Sequence, residues 1–204
     1  MAEASAPSPD LLVIAFELLA EEGWSRLSLV AVARRAGVPP RDVYRELRSK
    51  GALLSALSRR ADEAMLEIEE AELAGLPPRD RVFELMMRRL ETLVPFRSGL
   101  ERLGREAGRD PCLLLATAWR LDRSLAWLQD AAGLRSSGVR AQIARRALGL
   151  AYLQTLRVWR KDLASDLGKT MAELDKQLRR AQPFAGLREP RARPAAEDVA
   201  PEPA

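Results

Sequence analysis

Within the ten residues from Arg41 to Lys50 the chain sets Arg41, Arg45, Arg48 and Lys50 against Asp42 and Glu46, a surplus of two positive charges, with Tyr44 among them. Arginine and lysine at this density suit phosphates. An arginine can also hold a guanine edge through two parallel hydrogen bonds, worth about 1–3 kcal/mol of discrimination. Covalent and acid–base chemistry has few tools here. The sequence has no histidine and one cysteine, Cys112, which removes His-based dyads, most zinc sites and any internal disulfide. No Gly-rich phosphate loop is present. Cys112 sits in "CLLLATAW" and reads as a small buried hydrophobe. No enzyme is expected, and neither a metal nor a cofactor.

The basic cluster lies inside "AGVPPRDVYRELRSKGALL", and its neighbours say what must position it. Ser8, Pro9 and Asp10 read as a helix start, with Ser8 as cap and Pro9 in the first turn. Leu11, Leu12, Ala15, Phe16, Leu18 and Leu19 then give one apolar face, and Gly23 suits the helix end. A short second helix starts at Ser28, buries Leu29, Val32 and Ala33, and ends at Gly37. Pro39 and Pro40 open a third, carrying Val43, Tyr44 and Leu47. Two short helices joined by a glycine-containing turn form a helix-turn-helix. Ser49 caps a fourth helix, expected to run to about Leu73.

Gly75, Pro77 and Pro78 end that pattern. Further helices are expected over 78–94, 97–107, 111–131, 138–161 and 166–181, because Pro95, Gly108, Asp110-Pro111, Gly133 and Gly138 punctuate the gaps. The expected fold is all-α, about nine helices, with a three-helix head at 9–56 on a larger helical body at 57–182. Residues 1–8 read as a disordered lead and 183–204, rich in Pro, Ala and charge, as a disordered tail. At 204 residues and 47% apolar content the chain can bury a real core. No stretch reaches the roughly 18 apolar residues of a membrane span, and the start has no secretion-signal pattern, so a cytoplasmic protein is expected. The net charge of +4 permits nucleic-acid binding without demanding it.

The stretch "AFELLAEEGWSRLSLVAVARRAGVPPRDVYRELRSKGALLSAL" resembles the TetR/AcrR family of transcriptional regulators: Glu-Glu-Gly plus an aromatic, a short helix, a Tyr-bearing helix, then Ser-Lys before a Leu-Leu helix. The resemblance implies a homodimer whose heads bind a double-stranded DNA operator and whose bodies sense a ligand, most often as a repressor. It assigns phosphate contacts to Ser28, Tyr44 and Lys50, which position but do not read sequence. It assigns base reading to Arg41, Asp42 and Arg45, with Pro40 alongside. Here the chain departs from the family: Pro40 removes a donor, Arg41 replaces a small residue, and Asp42 brings negative charge toward phosphates. The plain alternative for Tyr44 is packing within the head, and for Arg45 and Lys50 a solvated charge.

In the body, Phe83, Met86 and Met87, Trp119 and Trp127, and Tyr152 and Trp159 are the candidates to line an apolar cavity between helices, with an ordinary helical core as the plain alternative for each of them. No charge constellation marks a polar ligand, so a hydrophobic small molecule or lipid is expected. Leu167, Thr170, Met171, Leu174 and Leu178 form one stripe of a packing last helix, which would lie at the dimer interface of a regulator or, in a lipid-binding protein, on a membrane or over the lipid. A second stretch, "LGLAYLQTLRVWRKDLASDLGKTMAELDKQL", is similar to the C-terminal part of the TetR-like lipid-binding accessory proteins of ubiquinone biosynthesis. That resemblance implies isoprenoid lipid binding and membrane contact without operator reading.

Overall fold

A computed structural model describes residues 10–134 and 137–187. They form α1 (Leu11–Glu22), α2 (Leu29–Ala36), α3 (Pro40–Glu46), α4 (Lys50–Leu66), α5 (Glu70–Leu73), α6 (Pro78–Thr92), a 3-10 turn (Val94–Phe96), α7 (Arg97–Ala107), α8 (Pro111–Ala131), α9 (Gly138–Trp159) and α10 (Gly168–Ala185). Among the described residues there is no strand, so the fold is all-α as expected, with a helix-turn-helix head on a larger body.

The helix starts follow local chemistry. Asp10 accepts from the Leu12 and Val13 amides at 3.1 and 3.2 Å and so caps α1. The cap is therefore Asp10, two residues beyond the expected Ser8, which with the expected disordered lead lies outside the described residues. Ser49 caps α4 through the Ala52 amide at 3.0 Å. Asp110 caps α8 through the amides of Cys112 and Leu113, with Pro111 in the first turn. Gly37 closes α2 in the left-handed region, φ 69°.

Two boundaries differ from the sequence expectation. The fourth helix stops at Leu66, not near Leu73, and α5 stands alone. Glu69 and Glu72 form a reciprocal capping box at the start of α5, satisfying backbone donors that a continuous helix would have used. This makes ten α-helices among the described residues where about nine were expected. At the other end, α10 runs on through Pro183 to Ala185, and Leu187 beyond it is buried. Residues 183–187 therefore belong to the body, not to a tail; residues 188–204 lie outside the described range.

The core is continuous from head to body. Phe16 of α1 meets Phe96 edge-on, ring centroids 5.4 Å apart, and Gly99 of α7 packs directly against Phe16. Helices α9 and α10 pair most extensively. Leu167, Thr170, Leu174 and Leu178 are spent on that pairing and are all buried within the chain. The stripe expected to meet a partner subunit thus faces its own core; only Met171, 41% exposed, remains outside. The free apolar stripe is on α9 instead: Val139, Ile143, Leu150 and Leu153 are exposed along one line at helical spacing. Cys112, expected to be buried, is exposed in the first turn of α8; the helix buries Leu113, Leu125 and Leu128 on another side.

Candidate functional site

The face of α3 follows from where its apolar residues go. Val43 and Leu47 are completely withdrawn into the core, which turns Arg41, Tyr44, Arg45 and Arg48 outward at spacings of three and four. Tyr44 is 64% exposed, so its phenol is not packing material. The side chains of Arg41 and Arg45 are each 77% exposed. Ser28, at the entrance to α2, is exposed and makes no capping hydrogen bond with its side chain, so its hydroxyl remains available on the same head.

Asp42 does not stand as an isolated negative charge. Its Oδ1 accepts from Arg45 Nη1 at 3.1 Å, and Arg41 Nε lies 3.8 Å away. The three side chains form one exposed ionic cluster of net charge +1. Ion pairs this exposed contribute little to stability, but the cluster orients two guanidinium groups on the outer face of the helix.

Lys50 opens α4, where the resemblance assigns it a phosphate contact, and its side chain is engaged within the head. Its ammonium donates to the carbonyl oxygens of Trp24 and Ser25 at 3.0 and 3.1 Å and lies 5.9 Å from the Trp24 ring centroid. It ties α4 to the turn before α2. That turn is held from the body as well: Glu106 of α7 accepts the Trp24 amide at 2.9 Å and Arg102 Nε at 2.7 Å. The carboxyl of Glu106 is raised by burial, but the hydrogen bonds from Arg102 and from the Trp24 amide outweigh this and hold it below its usual value.

The body residues expected to share one cavity do not come together. Trp119 and Trp127 are 60% and 56% exposed on the outside of α8, because the helix turns Ser124, Leu125 and Leu128 inward instead. Arg123 stacks over Trp119 at 5.0 Å. Trp159 is fully buried, but at the joint between α9 and α10, where Arg97 lies 4.6 Å over its ring and donates to the Asp162 carbonyl. Met86 and Tyr152 are buried in the common core, and Phe83 is half-buried against it. Met87 reaches a cleft of about 380 Å³ shared with Ile68, Leu73 and Leu76. A second cleft, about 490 Å³, lies beside α5 over Met65, Leu73, Leu85 and Ala131.

The middle of the body contains a polar cluster that sequence reasoning missed. Asp62 of α4 pairs with Arg89 of α6, and accepts from Ser124 Oγ of α8 at 2.8 Å. Ser58 lies 3.2 Å from Ser124, and the Tyr152 ring centroid is 5.8 Å from the Arg89 guanidinium. Burial pushes the Asp62 carboxyl up against the opposing pull of Arg89 and the two serines. The signal was present in "LMMRRLETL": Arg89 falls on the same stripe as Val82, Leu85 and Met86, where a charge needs a buried partner. Among the described residues no group of His, Cys, Asp or Glu could hold a metal ion, and no helix is long and apolar enough to cross a membrane.

Residues 11–57 match the family model described as bacterial regulatory proteins, tetR family. The whole fold is similar to a TetR transcriptional regulator from Nitrosomonas europaea ATCC 19718, at 27% identity and TM-score 0.68, over 84% of this chain and 96% of that one. It is also similar to a TetR transcriptional regulator from Rhodococcus sp. RHA1, at 19% identity and TM-score 0.58, over 84% and 92% of the two chains. A third likeness is to the TetR family transcriptional regulator PfmR from Thermus thermophilus, at 20% identity and TM-score 0.51, over 83% and 97%. No curated protein matches the sequence.

Proposed function

We propose that this chain, a TetR-type protein in head and body, works as a homodimeric DNA-binding transcriptional regulator, a repressor whose hold on a double-stranded operator is controlled by a small ligand. The observation that carries the reading is the outer face of α3, where Arg41, Tyr44 and Arg45 stand exposed while Val43 and Leu47 anchor the helix. Arg45 and Arg41 supply the bidentate donors that a guanine edge accepts. Ser28 and Tyr44 supply hydroxyls for phosphate. The exposed apolar line Val139–Ile143–Leu150–Leu153 on α9 favours a second copy of the chain as partner, which would present two heads about one turn of DNA apart.

The test is selection of bound fragments from fragmented genomic DNA by the purified protein, followed by anisotropy titrations. Enriched fragments should bind well above random DNA. Arg45→Ala should cost about 1–3 kcal/mol on the preferred site and far less on random sequence. If no fragment is enriched and Arg45→Ala changes nothing, the regulator reading fails.

A second reading, a lipid-binding accessory protein that does not read DNA, is favoured by one observation: Leu115, Trp119 and Trp127 are exposed together on α8, with Arg123 beside them. Indoles and arginines of this kind suit a boundary between water and hydrocarbon. Flotation with vesicles containing anionic lipid tests it, and Trp119→Ala together with Trp127→Ala should abolish any binding that depends on this face.

A further inference from the structure

The polar cluster in the body has more donors than acceptors. Arg89 is 7% exposed and Tyr152 3%; the two groups face one another, yet neither Arg89 Nε nor the Tyr152 hydroxyl has a hydrogen-bond partner in good geometry. A guanidinium carries five N–H groups and no acceptor, and Asp62 takes only one of its arms. Buried polar groups are ordinarily paired, so two orphans side by side mark a place where an acceptor belongs.

The orphaned pair is closed off from solvent, and a ligand would enter by displacing the buried Met65 and Leu85. Met65 and Leu85 line the larger cleft beside α5. Each lies about one helical turn from the cluster, Met65 from Asp62 along α4 and Leu85 from Arg89 along α6. Methionine is the side chain most able to shift aside.

We propose that the body binds an amphipathic carboxylic acid, with its carboxylate on Arg89 Nε and the Tyr152 hydroxyl and its apolar chain passing Met65 and Leu85 into the cleft beside α5. A carboxylate fits better than an alcohol or ketone for two reasons. Its two oxygens can serve both orphaned donors at once, and charge-assisted hydrogen bonds to arginine are the stronger kind. Asp62 already shows that this guanidinium takes a carboxylate, and the hydroxyls of Ser58 and Ser124 remain to Asp62 if Arg89 turns toward the ligand. This names the ligand class for the effector-controlled body and rests on that reading, but its binding test uses no DNA.

The full-length protein is titrated calorimetrically with hexanoate, decanoate and tetradecanoate and with the alcohols of the same lengths. At least one acid should bind about tenfold or more tightly than its alcohol. Tyr152→Phe, which removes only the unpartnered hydroxyl, should weaken the acid severalfold and leave the alcohol unchanged. Asp62→Asn, which frees Arg89 from its native partner, should tighten the acid. If no acid outbinds its alcohol, or if Tyr152→Phe leaves acid affinity unchanged, the site is overturned. Acid binding without any enriched DNA fragment would leave the site standing and remove the regulator reading. Operator binding without an acid–alcohol difference would do the reverse.

Discussion

Glu106 accepts the backbone N–H of Trp24 at 2.9 Å, across 82 residues of chain. The contact joins α7 to the first turn of the head, and Gly23 makes room for it: a Cβ there would collide with the Glu106 carboxylate. Gly23 also has φ 85°, which favours glycine on backbone grounds alone.

Glu106→Gln is expected to lower stability by about 1 kcal/mol at neutral pH, a charged hydrogen bond discounted for partial exposure. Because the carboxyl titrates below its usual 4.5 in the folded chain, its contribution is fully present above about pH 4.5 and is lost as the pH falls through the lower folded value. Urea midpoints of the two proteins should therefore differ at pH 7 and converge on acidification.

Gly99→Ala is expected to separate α1 from α7. The new methyl would lie 2.5 Å from the Phe16 carbonyl oxygen and 2.7 Å from its ring, and a helical carbonyl cannot swing aside. Overpacking of this kind costs about 1–3 kcal/mol. Gly51→Ala in α4 serves as control, since its nearest neighbour would be 3.7 Å away; it should be neutral or stabilising by up to about 1 kcal/mol. Thermal melts of the pair check the contrast.

Lys50→Ala is expected to act through the fold. Losing two hydrogen bonds to carbonyls costs about 1–3 kcal/mol, read as a lower denaturation midpoint. DNA affinity should fall for all sequences while the slope of log affinity against log salt stays the same. A slope reduced by about one unit would assign Lys50 to a phosphate instead.

Asp42→Thr releases Arg41 and Arg45 and removes negative charge from the outer face of α3. Affinity for random DNA is expected to rise severalfold and the salt slope to steepen, because two guanidinium groups become free for phosphates. Anisotropy at two salt concentrations measures both.

Leu150→Glu places a charge in the middle of the exposed line on α9. Light scattering of the native protein should report about twice the 22.6 kDa chain mass, and the variant should report one chain mass. A native monomer would remove the dimer from the functional reading.

The head was legible because each of its turns carries a local signal: Gly37 for the end of α2, Pro40 for the start of α3, Ser49 for the cap of α4. The outer face of α3 was legible for the same reason, since burying Val43 and Leu47 fixes which residues face out. The body was less legible, because one stripe can satisfy two partners. Leu174 and Leu178 are as suitable for a second subunit as for α9, and only the packed chain decides. Trp119 and Trp127 share a face, as their spacing implies, but spacing does not say whether that face is in or out. Asp62 and Arg89 are 27 residues apart, and no periodicity links two polar residues on different helices.

Helix α4 begins behind the helix-turn-helix and ends inside the body. Its first turn already touches α8, where Arg120 donates to the Gly51 carbonyl at 3.1 Å. Its last turns hold Asp62 and the buried Met65. A border drawn at residue 56 therefore cuts through the middle of a rod that both halves use as a wall. Neither half can melt alone without stripping water-excluded surface from the other, so a calorimeter should record one heat-absorption peak for the chain. A fragment ending at residue 56 would keep the whole helix-turn-helix and lose the wall it leans on.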